Sequence, residues 1–402
     1  MFKNYIDDDE VWLEFLQSRL ETNYDTLEEK RVLKEFIENK KYKEITTKLK
    51  ENNYTFSIPR KKEINKNHTN KKRVVYSYRF NEMIVLKYIA YNLYKYDYLF
   101  EQNLYSFRKN KSVKQAIDKL SKTRNLENIY GYKVDIKNYF NSVDISILIN
   151  NLKDDIKDLD LLNIIVSILT NKKVSINNTI IEEDKGIMAG IPLSAFLANY
   201  FIKDIDKYFK DKNILYLRYS DDIILFANTK EKVVKYSNKL KELLQFYNLT
   251  INPDKENYYE PHDTWEFLGF SYKDNKIDLS DNSLHKIKGK IRRSARSIRR
   301  WMLRKNVEET KAIKVMIRKF NIKFYCSRNA ELSWKFWYFP VINTSETLKV
   351  VDEYLQQYLR YIPTGKHNKM NYKLVPYTKL KRLGYKSLVH EYYLFINMEC
   401  DV

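Results

Sequence analysis

Hydrophobic residues follow two different periods in the central part of the chain. Short apolar and aromatic runs at 214–219 and 223–227 flank a polar step, and they predict two strands joined by a tight turn. Apolar residues at helical spacing mark 83–100 and 233–247 as helices. The pattern therefore predicts strands and helices together in this region.

Helical patterns dominate both ends of the chain. Residues 1–58 are polar with an apolar helical stripe that includes Trp12 and Phe15, and they predict a small helical extension whose helices pack together. An RNA-binding extension is the alternative interpretation of the same residues. Toward the C-terminus, the spacing predicts helices at 285–305, 312–325 and 348–362.

The first of these C-terminal helices has a strongly basic face. Residues 285–305 contain ten Lys or Arg and no acid. Lys288, Arg292, Arg296 and Arg299 fall on a face that the apolar residues leave free. The chain of 402 residues carries a formal net charge of +21, an excess that favours a polyanionic partner, with nucleic acid as the first candidate.

Cysteine usage and hydropathy exclude several classes of protein. Cys326 and Cys400 lie far apart without CxxC spacing, so they predict neither a zinc site nor a disulfide framework. The N-terminus is acidic and lacks the apolar region of a signal peptide, and no apolar run is long enough to span a bilayer. We therefore expect a soluble, cytoplasmic protein without a membrane partner.

Acidic residues mark the candidate chemistry. Asp221 and Asp222 stand side by side at the polar step between the two short strands. Adjacent carboxylates repel each other, so they favour a compensating hard divalent cation, although an acidic turn facing solvent is the alternative. Asp135 ends an upstream run that predicts a strand, and residues 185–199 predict a Gly/Pro turn that leads into an apolar helix.

Along the chain, the strand that ends at Asp135 comes first, the Gly/Pro turn with its helix second, and the hairpin with the paired acids third. In this chain order, the three segments resemble the palm of the reverse transcriptases, above all the bacterial group II intron, retron and defence-associated types. The resemblance covers roughly residues 60–395. It implies an α+β right-hand polymerase with fingers, a palm of antiparallel sheet and helices, and an α-helical thumb. The segments expected from it are a helical extension at 1–58, fingers and palm at 59–279, and a basic helical thumb at 280–402.

The resemblance assigns the catalytic acids. It implies that Asp135, Asp221 and the carbonyl of Ile136 hold two Mg²⁺ ions, the cofactors of nucleotidyl transfer. Asp222 completes the catalytic set and is expected to support the electrostatics more than to coordinate.

The resemblance also implies contacts to the incoming nucleotide. Phe140 lies five residues after the first acid, where the family places an aromatic ring against the sugar and excludes a 2′-hydroxyl. Gly190 lets the backbone approach the new base pair, although Ala189 stands where the family often has Gln. Lys255 is expected near the pyrophosphate as a general acid, with an ordinary surface lysine as the alternative.

Basic residues of the fingers and thumb complete the implied site. Lys72 and Arg73, beside a basic loop at 59–72, are expected to hold template backbone or triphosphate. Arg108 belongs to a segment that resembles the Tyr-Gly-Phe-Arg motif of the fingers, with Ser106 in place of the glycine, and a guanidinium there suits phosphate oxygens. The basic face of the thumb is expected to bind nucleic acid. A hairpin at 265–270 is expected to grip the primer terminus.

The function implied is that of an RNA-directed DNA polymerase, which takes dNTPs and an RNA template and makes a DNA product. The expected lack of RNase H, integrase and protease regions favours an antiphage defence enzyme with a dedicated non-coding RNA. The alternatives are a template-independent or protein-primed polymerase, an RNA-directed RNA polymerase, and a non-catalytic RNA-binding or maturase-like protein. Template, primer and oligomeric state are left open.

Overall fold

The computed structural model describes residues 1–22, 25–65, 72–326 and 333–400. The chain divides into two compact units, Met1–Pro261 and His262–Val402. Among the described residues, no helix is both long enough and apolar enough to cross a membrane. The division into segments 1–58, 59–279 and 280–402 stays a prediction.

The first unit contains both strands and helices, as the two periods predicted. Its helices are α1 Asp9–Glu21, α2 Leu27–Glu38, α3 Lys43–Lys50, α4 Phe80–Leu93, α5 Val113–Ser121, α6 Tyr139–Ser142, α7 Ile145–Asp155, α8 Leu159–Thr170, α9 Ser194–Phe201, α10 Lys203–Asp211 and α11 Lys230–Phe246. Its strands are β1 Arg60–Asn65, β2 Lys72–Ser77, β3 Tyr130–Asp135, β4 Lys173–Ile176, β5 Thr179–Glu182, β6 Leu215–Tyr219, β7 Asp222–Ala227 and β8 Asn257–Tyr259. The α+β class is confirmed.

The N-terminal segment forms the predicted helices, and they are built into the core of the first unit. Trp12 of α1 is fully buried between Tyr42 and Tyr88, with ring centroids 4.2 and 4.1 Å away and interplanar angles of 10°. Its indole N–H donates to the Ile6 carbonyl at 2.8 Å. Because Tyr88 lies on α4, this stack fastens α1 to α4.

Two sequence predictions in this unit need correction. The basic segment predicted as a loop is a strand over Arg60–Asn65, paired antiparallel with β2; residues 66–71 lie outside the described part. Consecutive cations hide the strand because they break the alternation of apolar and polar residues, whereas the main-chain pairing holds regardless. The helix predicted at 83–100 ends at Leu93, where its apolar stripe stops, and continues as a 3-10 helix over Tyr94–Leu99.

Two four-stranded sheets position the site residues. One has the order β2-β1-β4-β5, and the other, the palm sheet, has the order β6-β7-β3-β8. All pairs of the palm sheet are antiparallel, and β6 and β7 form the predicted hairpin. Apolar residues of both central strands are buried, Val134 of β3 and Ile223 and Leu225 of β7 among them, which makes the palm sheet a rigid support.

Asparagines occupy many of the turns. Nine asparagines among the described residues have a left-handed backbone, with φ between 47° and 69°: Asn52, Asn125, Asn138, Asn177, Asn178, Asn213, Asn248, Asn275 and Asn306. Asparagine tolerates this region better than other side chains because its short amide bonds to the local backbone. The whole sequence has only seven glycines, so asparagine occupies left-handed turn positions where glycine is more usual.

The second unit is a small sheet followed by helices. Its strands are β9 Trp265–Phe267, β10 Phe270–Lys273 and β11 Lys276–Leu279, in the order β11-β10-β9. Its helices are α12 Asp281–Arg304, α13 Glu309–Tyr325, α14 Trp334–Trp337, α15 Glu346–Thr364, α16 Met370–Leu374, α17 Tyr377–Arg382 and α18 Leu388–Cys400. The hairpin predicted at 265–270 and the three long helices predicted beyond residue 280 are confirmed.

A buried carboxylate holds the C-terminal part of this unit together. Asp352 of α15, only 4% exposed, accepts hydrogen bonds from the Tyr385 and Ser387 hydroxyls at 2.7 and 2.6 Å. It also accepts from the backbone N–H groups of Leu388 and Val389 at 2.9 and 3.2 Å. These donors satisfy the charge at the start of α18, so the carboxylate fixes this helix against α15.

Candidate active site

The palm sheet brings three carboxylates to one end. Asp135, the last residue of β3, is the register partner of Asp222, the first residue of β7. The N–H of Ile136 donates to the Asp221 carbonyl at 3.0 Å, which ties the turn to the end of β3. Side chains directly opposite in an antiparallel pair lie on the same face, so Asp135 and Asp222 share one site. Asp221 belongs to the same site, because the charges of Asp135 and Asp222 both act on its carboxyl.

Repulsion and burial act on these acids together. Burial, followed by the charge of Asp135, raises the pKa of the Asp221 carboxyl from its ordinary 3.8 to about 6. Burial also raises the pKa of Asp222, although the Lys133 ammonium at 3.8 Å opposes this shift. Sequence reasoning missed Lys133, which stands two residues before Asp135 and therefore on the same face of β3. A site with this excess of negative charge favours a cation.

Lys255 lies against the first acid. Its Nζ is 2.5 Å from Asp135 Oδ2. The segment before it is pinned to the end of β3, because Asn252 N–H donates to the Asp135 carbonyl at 2.8 Å and Lys137 N–H donates to the Thr250 carbonyl at 2.9 Å. Burial lowers the pKa of Lys255, but the hydrogen bond and charge of Asp135 outweigh it and the net shift is upward. The lysine is therefore held in its charged form beside the acids.

The donor set fits magnesium. The part of the chain that the structure describes contains no group of three or more His, Cys, Asp or Glu side chains arranged to hold a metal ion. Magnesium sites in phosphoryl-transfer enzymes use one or two carboxylates and leave the remaining positions to waters and substrate phosphates. The side chains of Asp135 and Asp221 meet this requirement. The Ile136 N–H is bonded to the Asp221 carbonyl, and the role of the Ile136 carbonyl as a further metal ligand stays a prediction.

Phe140 lies on the short helix α6, which begins shortly after the end of β3. The Phe107 ring stands edge-on to Phe140 with centroids 6.5 Å apart, and it also lies 6.4 Å from the ring of Tyr219. Tyr219 precedes the turn formed by Ser220 and Asp221, which we call the catalytic turn. Phe107 is 40% exposed and has a left-handed backbone with φ 53°. The Phe107 ring thus connects Phe140 to Tyr219, the last residue of β6 before the catalytic turn.

Gly186 fixes the position of Phe140, a role that sequence reasoning missed. Gly186 has φ 52°, and a Cβ added there would lie 2.3 Å from the Phe140 carbonyl oxygen. The next residue, Ile187, donates its N–H to the same oxygen at 2.9 Å. Any side chain at position 186 would push the backbone of Phe140 away, so the close approach requires glycine.

Gly190 packs closely against the backbone of β2. Its φ is 106°, and an added Cβ would lie 2.9 Å from the Tyr76 carbonyl oxygen of β2. Tyr76 N–H donates to the Ala189 carbonyl at 2.8 Å. The glycine turn is therefore docked on β2, while Gly190 itself is exposed. The predicted contact of Gly190 with a base pair stays a prediction.

The two predicted fingers cations lie on β2, and both are exposed. Lys72 Nζ is 2.6 Å from Glu63 Oε2 of the neighbouring strand. Arg73 is the register partner of Ile64 on the same strand pair. Side chains in register alternate between faces along β2, so Lys72 and Arg73 point to opposite faces of this sheet.

Arg108 has a structural position that the sequence did not suggest. It is 8% exposed, and its guanidinium binds Asp97 through two nitrogens, with Nη2 to Oδ2 at 2.8 Å and Nε to Oδ1 at 3.0 Å. It also donates to the Glu101 carbonyl at 2.7 Å. These partners occupy the guanidinium fork, so the geometry does not support the predicted contact with a triphosphate.

A second buried arginine lies beneath the catalytic turn. Arg218 of β6 is fully buried and pairs with Asp206 of α10, with Nε to Oδ1 at 2.7 Å and Nη2 to Oδ2 at 2.5 Å. Tyr216 donates its hydroxyl to the same carboxylate at 3.0 Å. Because Arg218 comes two residues before the turn residue Ser220, this pair anchors the strand that presents Asp221.

The four thumb cations divide into two kinds. Arg292 and Arg296 of α12 are exposed, and Lys288 lies 5.5 Å above the ring of Tyr354. Arg299 instead donates to the carbonyls of Ile362 and Pro363 at 2.7 and 2.5 Å. Arg299 therefore caps the C-terminal end of α15, and its placement favours a structural role over contact with nucleic acid.

Comparison with known proteins gives one family match and two similar solved structures. The model of the family described as reverse transcriptase (RNA-dependent DNA polymerase) matches residues 59–272. No curated protein matches the sequence. Among solved structures, the chain is similar to the apo telomerase of Candida tropicalis truncated from its C-terminal domain, with 15% identity, a TM-score of 0.45 and coverage of 56% of this chain and 55% of that one.

A second solved structure is the telomerase of Candida albicans in complex with a TWJ fragment of telomeric RNA. Here the identity is 12% and the TM-score 0.47, and the match covers 86% of this chain and 67% of that one. The chain thus spans about half the length of the first of these telomerases and two thirds of the second.

Fold and site together define a right-hand polymerase, with its acids at the end of an antiparallel palm sheet. The matched segment contains all three acids and more than half of the chain, and the protein belongs to the reverse transcriptase family. Members of this family are nucleotidyltransferases that generally use divalent metal ions, so the predicted class of enzyme is confirmed.

Proposed function

We propose that this protein is an RNA-directed DNA polymerase that extends a primer by nucleotidyl transfer from dNTPs. The observation that carries the proposal is the pairing of Asp135 with Asp222 and the bond from Ile136 to Asp221, which gather three acids at one end of the palm sheet. The direct test is extension of a DNA primer annealed to an RNA template of defined sequence, with dNTPs and Mg²⁺. Extension to the template end supports the proposal, and no extension contradicts it.

The chain's own residues supply positioning and charge. Asp135, Asp221 and the Ile136 carbonyl would hold two Mg²⁺ ions, which when bound lower the pKa of a primer 3′-hydroxyl and neutralise the triphosphate. Asp222 adds negative charge beside them, and Lys133 moderates that charge. Lys255, charged and next to Asp135, can give a proton to a leaving pyrophosphate.

Two substitutions of Lys255 should distinguish the effect of its positive charge from its role as a proton donor. Lys255→Ala is expected to lower kcat roughly 10²-fold, the usual contribution of a general acid. Lys255→Arg keeps the charge but cannot release a proton near neutral pH, so it should remain almost as slow. Single-turnover rates of dNTP incorporation measure both. Lys230→Ala, which removes an exposed lysine paired with Glu260, is the matched control and should leave the rate unchanged. Full activity of Lys255→Arg would show that only the charge is needed.

Replacing Phe140 should change the choice of sugar. Phe140→Ala removes the ring that is proposed to exclude a 2′-hydroxyl, and we expect the preference for dNTP over NTP in kcat/KM to fall by at least about 10-fold, because loss of one steric contact is worth 1–3 kcal/mol. Phe246→Ala, at a ring that is 75% exposed on α11, is the control and should keep the preference. An unchanged preference in Phe140→Ala would remove this ring from sugar selection.

The finer proposal is a bacterial enzyme of the defence-associated type that works on a dedicated non-coding RNA. The exposed Arg292 and Arg296 and the net charge of +21 support an RNA partner, because such cations bind phosphates without regard to sequence. The test is to purify the protein from its cells and sequence the nucleic acid that accompanies it. One enriched RNA that the wild type copies into DNA supports the proposal.

The same preparation separates the alternative functions. DNA synthesis without added primer or template, with product attached to protein, would indicate a template-independent or protein-primed polymerase. Preference for NTPs would indicate an RNA-directed RNA polymerase. RNA binding that is indifferent to Asp221→Ala, without any synthesis, would indicate a maturase-like protein.

A further inference from the structure

A segment of the fingers runs alongside the strand that leads into the catalytic turn. Arg218 N–H donates to the Asn103 carbonyl at 2.9 Å, and Tyr105 N–H donates to the Arg218 carbonyl at 2.9 Å. Leu104 is therefore bridged in parallel to Arg218. In a continuing parallel ladder, the next donor would be the N–H of Ser220, bound to the backbone carbonyl of Tyr105.

The ladder ends differently at Ser220. The N–H of Ser220 donates to the side-chain oxygen of Ser106 at 2.8 Å, and the two residues are 5% and 0% exposed. The backbone of Ser220 is left-handed, with φ 61°, because the chain turns there. A side-chain hydroxyl has taken the place of a main-chain acceptor that the turn has moved out of line.

The hydroxyl of Ser106 is held in one orientation. It donates its single proton to Asn199 Oδ1 at 2.8 Å, and Asn199 Nδ2 donates back to the Ser106 carbonyl at 2.7 Å. Asn199 also accepts from Arg218 through its own carbonyl, at 2.9 Å. Because the proton is committed to Asn199, only lone pairs of the Ser106 oxygen face Ser220, which makes the oxygen a fixed acceptor.

The catalytic turn is thus held from both sides. The Ser106 hydroxyl binds the N–H of Ser220, and the N–H of Ile136 binds the carbonyl of Asp221 at 3.0 Å. A serine in left-handed backbone is strained by about 1–3 kcal/mol and persists only when its surroundings fix it. A glycine at position 106, as in the family motif, offers no side-chain acceptor for this amide.

We propose that Ser106 is a positioning residue that fixes the turn and thereby sets the distance between the carboxylates of Asp221 and Asp135. The proposal deepens the proposed polymerase function and rests on it for its kinetic consequence. Ser106 acts through the backbone of Ser220, whose N–H its hydroxyl oxygen accepts. Loss of its hydroxyl should therefore slow the chemical step and weaken metal binding, without changing dNTP binding.

The test compares Ser106→Ala, Ser106→Gly and Ser106→Thr with Ser237→Ala. Ser237 is a matched control because it is also fully buried on α11, and its hydroxyl is bonded to the Val234 carbonyl of the same helix and to the Tyr258 hydroxyl of β8. Two quantities are measured on each full-length variant. They are kcat and KM for dNTP on a primed RNA, and the dissociation constant of Mn²⁺ without nucleotide, from the electron paramagnetic resonance signal of free Mn²⁺.

Ser106→Ala and Ser106→Gly should lower kcat roughly 10- to 100-fold, the effect of slightly misplaced catalytic groups, and leave the KM within about twofold. Their Mn²⁺ dissociation constant should rise several-fold. Ser106→Thr keeps the acceptor and should restore both quantities, and Ser237→Ala should change neither. Melting temperatures of all variants show whether they are folded, and if Ser106→Thr is not, the alanine and glycine variants decide.

Two outcomes would overturn the proposal. One is a folded Ser106→Ala protein with kcat and Mn²⁺ affinity within twofold of wild type. The other is an equal loss in Ser106→Ala and Ser237→Ala that follows the melting temperature, which would show a merely structural hydroxyl. If wild type extends no primer, the polymerase function fails, but the Mn²⁺ titration still decides whether Ser106 positions the acids.

Discussion

Asp221→Asn is expected to abolish DNA synthesis, with a loss of at least roughly 10³-fold, because metal-assisted charge stabilisation contributes several kcal/mol to phosphoryl transfer. The amide keeps the shape of the side chain but removes the charge that would hold a divalent ion. Primer extension on an RNA template measures the loss. Asp222→Asn should lose much less, since this acid is proposed to support the charge of the site and not to bind metal, and an equal loss in both variants would contradict the separate roles.

Asp221→Asn should also stabilise the metal-free protein. The folded-state pKa of Asp221 is about 6, above the ordinary 3.8, so the folded protein binds this proton more tightly than the unfolded chain. Wild type therefore loses stability from this group as pH rises from about 4 to about 6. Asp221→Asn, which has no proton to lose, should melt higher at pH 7 and equal to wild type near pH 4. Magnesium should raise the melting temperature of wild type only.

Arg218→Ala is expected to have the largest effect on stability, a loss of about 3–5 kcal/mol, because it leaves Asp206 buried without its partner. Both side chains are almost completely inaccessible, with relative exposures of 0% and 1%. Urea unfolding followed by circular dichroism measures the change. Replacing both partners together, as Arg218→Met with Asp206→Leu, should lose less than Arg218→Ala alone, since no unpaired charge stays buried.

An exposed ion pair gives the matched control for this stability experiment. Lys239 and Glu242 on α11 lie 2.6 Å apart, but Glu242 is 67% exposed. Lys239→Ala should change the free energy of unfolding by less than about 1 kcal/mol. If Arg218→Ala were as mild as Lys239→Ala, the buried pair would not anchor the strand that presents the catalytic turn.

The palm could be predicted from sequence because its signals are local. The runs around Asp221 show strand periodicity next to paired acids, and Asp135 ends a strand in the same way. The acids that the structure brings together are therefore the ones that the sequence pattern had already identified as candidates. The offset from Asp135 to Phe140 spans only five residues, so the end of β3 and the turn after it position both residues. Each of these inferences depends on spacing within one element and its turn.

Contacts between distant segments could not be predicted from the sequence. The partner of Arg218 on β6 is Asp206 on α10, and Arg108 is bound by Asp97 across a turn. The role predicted for Arg108 from its motif therefore did not include its actual partner. Gly186 is constrained by the backbone of Phe140, which is 46 positions earlier, and no local pattern reveals that approach. Strand β1 was missed for the same reason, because its evidence is its pairing with β2.

The asparagine-rich turns have a consequence for the unfolded chain. Glycine lowers stability partly through the large number of conformations that it allows before folding, and every side chain reduces that number. A chain of 402 residues with seven glycines therefore begins folding from a comparatively restricted ensemble. Asparagine bears the small strain of a left-handed turn in the native state, and in exchange the chain loses less conformational entropy on folding. Part of this protein's stability is thus set before any of its contacts form.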